Sequence, residues 1–157
     1  MNRKDLTGNL GMYEVATRLT RLGKDITVHG GKCSFDLSDY EGNRYEVKTA
    51  TASMKGDKQH FRYRGWVFCS GNKNRNIARF EYTAYVLLNE DREVENIYLI
   101  PREQDRFRNG RSAIMKDTIY QRLNSPRKDL VSDKWYEEFK LLKEEDEKQN
   151  REAKNRY

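Results

Sequence analysis

The sequences SFDL, at residues 34–37, and YEVK, at residues 45–48, determine how we interpret this chain. Asp36 stands between two apolar residues, so on an alternating strand its carboxylate leaves the face opposite to theirs. The intervening sequence DYEGN is typical of a turn. Glu46 and Lys48 are two residues apart and therefore share one face of the returning strand. We predict a β-hairpin that brings Asp36 close to Glu46.

Two carboxylates and a lysine at one rim can hold a hard divalent cation beside a positioned amine, which suits phosphodiester hydrolysis. Mg²⁺ prefers oxygen ligands and is usually held by one or two carboxylates plus a substrate phosphate. Asp36 and Glu46 are the predicted ligands, with the backbone carbonyl of Val47 as a further candidate, and Mn²⁺ can substitute. We expect Lys48 to contact the scissile phosphate or the attacking water. In a different turn register Asp39 would replace Asp36, but it lacks the apolar flanks.

A Glu-x-Lys triplet by itself indicates little in so charged a chain, because it recurs at residues 138–140 and 152–154. The alternative interpretation is an exposed hairpin in which Glu46 and Lys48 form a surface ion pair that contributes little to stability. The upstream Asp36, the turn and the β-branched residues beside the lysine favour a chemical site.

An aspartate, a hairpin and a Glu-x-Lys strand resemble the PD-(D/E)xK nuclease superfamily, which includes many restriction enzymes, some homing endonucleases and archaeal-type Holliday junction resolvases. The proline that opens the family signature is absent, since Phe35 precedes Asp36. The resolvase-like branch carries a glutamate on a preceding helix, and Glu14 occupies a helical pattern here. The resemblance therefore implies a catalytic role for Glu14 as an auxiliary metal ligand. The alternative is a helical ion pair with Arg18, four residues along.

The chain is basic and very polar. Its 157 residues carry a net charge of +6, 36% are charged, the sequence pI is about 9.3 and the mean hydropathy is −1.08. Residues 133–157 hold seven Lys/Arg against eight Asp/Glu, so the preceding body holds 24 against 17. A basic body with a balanced tail favours a polyanionic partner, most simply nucleic acid.

Several functional classes are disfavoured by what the sequence lacks. Two histidines are too few for a histidine-rich zinc site or a two-histidine ribonuclease. No Gly-x-x-x-x-Gly-Lys loop is present, which argues against an NTPase. Two isolated cysteines fit a reduced compartment, and no signal region or membrane span is recognisable. We expect a cytoplasmic protein, associated with the nucleoid or in the host cytoplasm if phage- or intron-encoded.

The order of patterns predicts a layered α/β or α+β fold with a mixed central sheet flanked by helices, which agrees with the restriction endonuclease-like core that the resemblance implies. A first helix is predicted over residues 5–22, and strands, besides the hairpin, at 26–28, 60–70, 80–88, 96–100 and 113–115. Ser132 or Asp133 is the expected start of a C-terminal helix. We divide the chain into a nuclease-like domain, 1–132, and a C-terminal helix with a charged tail, 133–157.

Basic residues that could contact phosphates follow the hairpin. Arg62 and Arg64 would share a face of the strand at residues 60–70, and Lys73 and Arg75 lie in the asparagine-rich loop after it. We expect these four residues to set affinity for nucleic acid and its salt dependence. The alternative for the loop is a solvated connection without a ligand.

The leading hypothesis is a Mg²⁺-dependent endonuclease, of the homing, junction-resolving or restriction type, that acts on double-stranded or branched DNA. We expect a homodimer or homotetramer, because one such site cuts one strand, and no membrane partner. The alternative is a DNA- or RNA-binding protein that retains the fold without cutting.

Overall fold

The computed structural model describes residues 3–29, 35–55, 61–69, 80–106, 112–122 and 135–156. Short 3₁₀ helices occupy Arg102–Gln104 and Trp135–Phe139. The α-helices and β-strands of the described ranges are α1 (Arg3–Arg21), β1 (Ile26–Val28), β2 (Leu37–Asp39), β3 (Arg44–Thr51), β4 (Ser53–Lys55), β5 (Phe61–Cys69), β6 (Tyr82–Leu88), β7 (Val94–Pro101), β8 (Ser112–Arg122) and α2 (Leu141–Asn155).

The strands form a five-stranded sheet in the order β1-β2-β3-β6-β7 and a three-stranded sheet in the order β4-β5-β8. In the larger sheet β3 and β6 are parallel, while the remaining neighbours are antiparallel, so the sheet is mixed. Strands β2 and β3 form the predicted hairpin, with Leu37 opposite Tyr45. The predicted mixed α+β architecture with a C-terminal helix is confirmed.

Apolar side chains pack on both faces of the larger sheet. The first cluster joins its α1 face to both helices and consists of Val15, Leu19, Leu37, Tyr45, Ala84, Val86, Leu88, Ile97 and Leu141. The second cluster joins the other face to the smaller sheet and consists of Ala50, Ala52, Trp66, Phe68, Tyr85, Leu87, Tyr98, Ile100 and Tyr136. Because β3 alternates, Glu46 and Lys48 share a face with Ala50, on the side of the second cluster.

Strand β4 was not predicted, and β8 and α2 differ from their predicted bounds. The edge strand expected at 113–115 is the longer β8, because it pairs along the whole length of β5. The C-terminal α-helix starts at Leu141 rather than near residue 133, since Trp135–Phe139 forms a 3₁₀ helix whose aromatic residues pack on the second cluster. Both differences arise from contacts that are distant in the sequence.

Helix α2 is held on α1 by a buried carboxylate. Glu145 is 2% exposed and accepts hydrogen bonds from Arg18 Nη1 at 2.7 Å and Arg21 Nη1 at 3.1 Å. Leu141 belongs to the first cluster, and Lys140 forms a β-bridge with Tyr98. The charged C-terminal segment is therefore helical over Leu141–Asn155 and anchored, while the division of the chain at residue 132 stays a prediction. Neither described helix is long and apolar enough to cross a membrane.

Helix α1 lies directly against β3 at Gly11. A Cβ atom built on Gly11 would overlap the Thr49 side chain, whose Oγ1 is buried without a hydrogen-bond partner among the described residues. By contrast, a Cβ atom on Gly8 of the same helix meets nothing within 4 Å. Glycine at position 11 thus sets the distance between the helix and the strand that carries Glu46 and Lys48.

We expect Gly11→Ala to lower the free energy of unfolding by about 1–3 kcal/mol, because the added methyl forces α1 away from β3. Gly8→Ala is the matched control and should raise it by up to about 1 kcal/mol, since alanine favours an exposed helical position. Urea unfolding of the two variants checks both values. Equal effects at the two glycines would contradict the close approach.

Candidate active site

Asp36 is held at the start of the hairpin by the backbone of β3. Its N–H donates to the carbonyl oxygen of Tyr45 at 2.9 Å, and the N–H of Val47 donates to its carboxylate Oδ2 at 2.8 Å. A carboxylate that accepts a backbone N–H is fixed in direction. Asp36 therefore faces the part of β3 that contains Glu46 and Lys48.

The structure brings Asp36, Glu46 and Lys48 together as one electrostatic group. Burial raises the pKa of Asp36, while the Val47 N–H and the charge of Lys48 oppose that rise. Burial and the neighbouring Asp36 raise the pKa of Glu46 to about 7, and Lys48 again acts in the opposite direction. Two carboxylates in a partly dry site repel each other, and such arrangements are typical of functional sites.

Strand β6 is the parallel neighbour of β3 and borders the site. In the parallel register Glu46 lies opposite Thr83, and Lys48 lies opposite Tyr85. The Tyr85 hydroxyl donates to Asp105 Oδ2 at 2.8 Å. Burial, together with the charges of Asp105 and Glu46, raises the pKa of Tyr85, so a neutral phenol borders the carboxylates.

The outer rim carries an ion pair that the sequence analysis missed. Arg44, the first residue of β3, contacts the Glu81 carboxylate through Nε and Nη2, and the shortest distance is 2.6 Å. Arg44 shares a face with Glu46 by strand alternation, which is a signal that the sequence does contain. Its partner is far along the chain, so the pairing itself could not be read from spacing.

Glu14 is not brought into this group. It lies on α1, which packs on the opposite face of β3, and its Oε2 is 3.9 Å from Arg18 Nε. Across the described ranges no group of three or more His, Cys, Asp or Glu side chains could hold a metal ion. The role of Glu14 as an auxiliary ligand stays a prediction.

Asp39, the alternative to Asp36 as a metal ligand, is hydrogen-bonded within the hairpin. Its carboxylate accepts hydrogen bonds from the backbone N–H of Asn43 at 2.9 Å, the Asn43 side chain at 3.0 Å and the Tyr45 hydroxyl at 2.6 Å. Burial acts to raise the pKa of Asp39, but these hydrogen bonds outweigh it and the pKa is lowered. Asp39 closes the turn of the hairpin, and Asp36 is the carboxylate that faces Glu46.

The donor set of the site suits a hard cation. It offers carboxylate oxygens and no histidine or cysteine side chain among the described residues, and Mg²⁺ commonly takes one or two protein carboxylates. The repulsion that raises the pKa of Glu46 would be relieved by a cation between Asp36 and Glu46. The carbonyl of Val47 stays a predicted further ligand.

The four predicted DNA contacts are only partly described. Arg64 is 12% exposed and binds two carboxylates, Glu90 with a shortest distance of 2.6 Å and Glu95 with one of 2.7 Å, and its guanidinium lies over the Trp66 ring. The pairs tie β5 to the β6–β7 hairpin. A contact between Arg64 and DNA stays a prediction, as it does for Arg62, whose side chain is not described. Lys73 and Arg75 lie outside the described residues.

We expect Glu46→Gln to stabilise the protein at about pH 8 relative to the wild type, and less so at about pH 5. The folded protein binds the Glu46 proton more tightly than the unfolded chain does, so the wild type loses stability as the pH rises from 4.5 through about 7. Thermal unfolding at both pH values, with the exposed Glu93→Gln as control, measures this difference. A difference that does not change with pH would contradict the raised pKa.

Added Mg²⁺ should make the wild type more stable than the Glu46→Gln variant at about pH 8. A cation bound by Asp36 and Glu46 stabilises the folded wild type by mass action, whereas Glu46→Gln has lost one ligand. The midpoint of unfolding as a function of Mg²⁺ concentration checks this. Equal Mg²⁺ responses of the two proteins would argue against a metal at these carboxylates.

Among solved structures, the chain is similar to a bacterial homing endonuclease, I-Ssp6803I, with a TM-score of 0.53 and 18% sequence identity over 100% of both chains. A likeness at this level of identity shows a common fold. No protein-family model matches the chain, and no curated protein sequence matches it significantly.

Proposed function

We propose that this protein is a metal-dependent DNA endonuclease of the PD-(D/E)xK type. The observation that carries the proposal is the convergence of Asp36, Glu46 and Lys48 on one partly buried face, where the pKa of Glu46 rises to about 7. The full-length likeness of the fold to a bacterial homing endonuclease supports the same reaction class. The net charge of +6 fits a polyanionic substrate.

The proposed mechanism gives each residue of the site one task. Asp36 and Glu46 would hold Mg²⁺, or Mn²⁺ in its place, and the Val47 N–H orients the carboxylate of Asp36. A cation at this position would supply charge stabilisation for the phosphate and the departing oxygen. Lys48 Nζ would donate to the scissile phosphate or to the attacking water. Glu46 must lose its proton before it can act as a ligand, so binding of a cation to the free protein would strengthen as the pH rises from 4.5 through about 7.

The proposed substrate is double-stranded or branched DNA. Each chain contributes one such site and cuts one strand, so cleavage of both strands requires a homodimer or homotetramer. A junction-resolving role predicts cleavage of a four-way junction, whereas homing and restriction roles both predict double-strand cuts in linear duplex and supercoiled plasmid. Cleavage of these three substrates by one preparation therefore separates the junction-resolving role from the other two.

A second candidate function is a DNA- or RNA-binding protein that does not cut. The observation that favours it is that Glu14 does not join Asp36 and Glu46, which leaves two protein carboxylates for a metal within the described chain. This candidate predicts binding to nucleic acid without Mg²⁺-dependent products.

We expect Asp36→Asn to reduce DNA cleavage by at least about 100-fold, because it removes the charge of one metal ligand while an amide oxygen can still accept the Val47 N–H. Asp91→Asn makes the same substitution in an exposed turn and should leave cleavage unchanged. Plasmid and junction cleavage with Mg²⁺ measures both. Equal rates for Asp36→Asn and the wild type would refute the assignment.

Lys48→Met should abolish turnover while Mg²⁺ binding is retained, because the lysine acts on phosphate and water rather than on the cation. Single-turnover cleavage and calorimetric titration with Mg²⁺ separate the two properties. Full cleavage by the Lys48 variant would exclude the role given to its ammonium group.

A further inference from the structure

Arg44 is fixed at the mouth of the candidate active site. Its backbone N–H donates to Glu81 Oε2 at 2.6 Å, and Glu81 in turn donates its own N–H to the carbonyl oxygen of Arg44 at 2.9 Å. These bonds join the first residue of β3 to the residue that precedes β6. Arg44 is two residues from Glu46 and on the same strand face.

The guanidinium of Arg44 uses one of its two hydrogen-bonding edges. Nε lies 3.1 Å from Glu81 Oε2 and Nη2 lies 2.6 Å from Oε1, which is a side-on pair. The opposite edge, formed by Nη1 and the outer N–H of Nη2, has no partner among the described residues. The side chain is 35% exposed, and one face of the guanidinium lies over the Phe35 ring, 5.9 Å from its centroid.

Arg64 provides an internal comparison. Its Nε and Nη2 bind Glu90, and its Nη1 and Nη2 bind Glu95, so both edges are occupied by carboxylates. Arg64 is 12% exposed, about a third of the exposure of Arg44. Carboxylates therefore occupy both hydrogen-bonding edges of the Arg64 guanidinium. At the candidate site, a carboxylate occupies one edge of the Arg44 guanidinium.

We propose that the open edge of Arg44 binds a backbone phosphate of the DNA, next to the phosphate that is cut. An end-on guanidinium edge matches two phosphate oxygens, and Glu81 and Phe35 hold the group in one orientation before DNA arrives. This inference rests on the proposed function. It adds a substrate-binding role for Arg44 and a positioning role for Glu81.

The decisive experiment compares two variants that both keep the net charge of the wild type. Arg44→Gln/Glu81→Gln removes the pair at the site, and Lys148→Gln/Glu152→Gln removes a surface pair on α2. Binding of each protein to a fluorescently labelled duplex of mixed sequence is measured in EDTA at several salt concentrations. Loss of one phosphate contact makes the slope of log K against log salt less steep by about 0.9.

We expect the reduced slope for the Arg44/Glu81 variant and the wild-type slope for the Lys148/Glu152 variant. A wild-type slope for a folded Arg44/Glu81 variant would overturn the inference, because Arg44 would then be only a structural partner of Glu81. If that variant does not fold, the wild type decides: the guanidinium N–H resonances of isotope-labelled Arg44 should shift when the duplex is added. Resonances that stay in place would overturn the inference equally.

The outcome for the proposed function is read separately, from the wild type with Mg²⁺ in place of EDTA. A wild type that cuts DNA with Mg²⁺ while Arg44 proves unimportant leaves the proposed function intact and removes the phosphate contact. A wild type that neither binds nor cuts DNA removes both proposals.

Discussion

The parallel pairing of β3 with β6 fixes where every charged residue of β3 can lie. From the rim inward, the face that carries the site shows Arg44 beside Glu81, Glu46 opposite Thr83, Lys48 opposite Tyr85, and Ala50 opposite Leu87. Polarity therefore decreases along a single strand, from an exposed ion pair to an apolar core. Burial at this position, together with the neighbouring Asp36, raises the pKa of the Glu46 carboxyl to about 7.

The arrangement costs stability in the protein without metal. Two carboxylates, each with a raised pKa, face each other where an apolar or neutral pair would be more favourable. Proteins retain such groups mainly where chemistry needs them. On the other face of the sheet, α1 lies against β3 at Gly11 and is itself bound to α2 by the hydrogen bonds from Arg18 and Arg21 to Glu145.

The hairpin and the pairing of its charges could be predicted because they are local. A turn, an alternation of polarity and a separation of ten residues are sufficient to place Asp36 near Glu46. The length of β8 and the start of α2 at Leu141 could not be predicted, since both depend on contacts with distant strands. The ion-pair partners of Arg44, Arg64 and Glu145 could not be predicted for the same reason. A sequence shows that an arginine is charged, but its contact with a carboxylate or with solvent depends on the fold.

The link between α1 and α2 has a consequence for synthesis of the chain on the ribosome. The hydrogen bond between Arg18 and Glu145 spans 127 residues, so α1 meets this carboxylate only after the intervening residues have been translated. Contacts of such long range slow folding and leave early segments without their partners. A nascent chain that stalls before α2 would carry Arg18 and Arg21 without the carboxylate that they share.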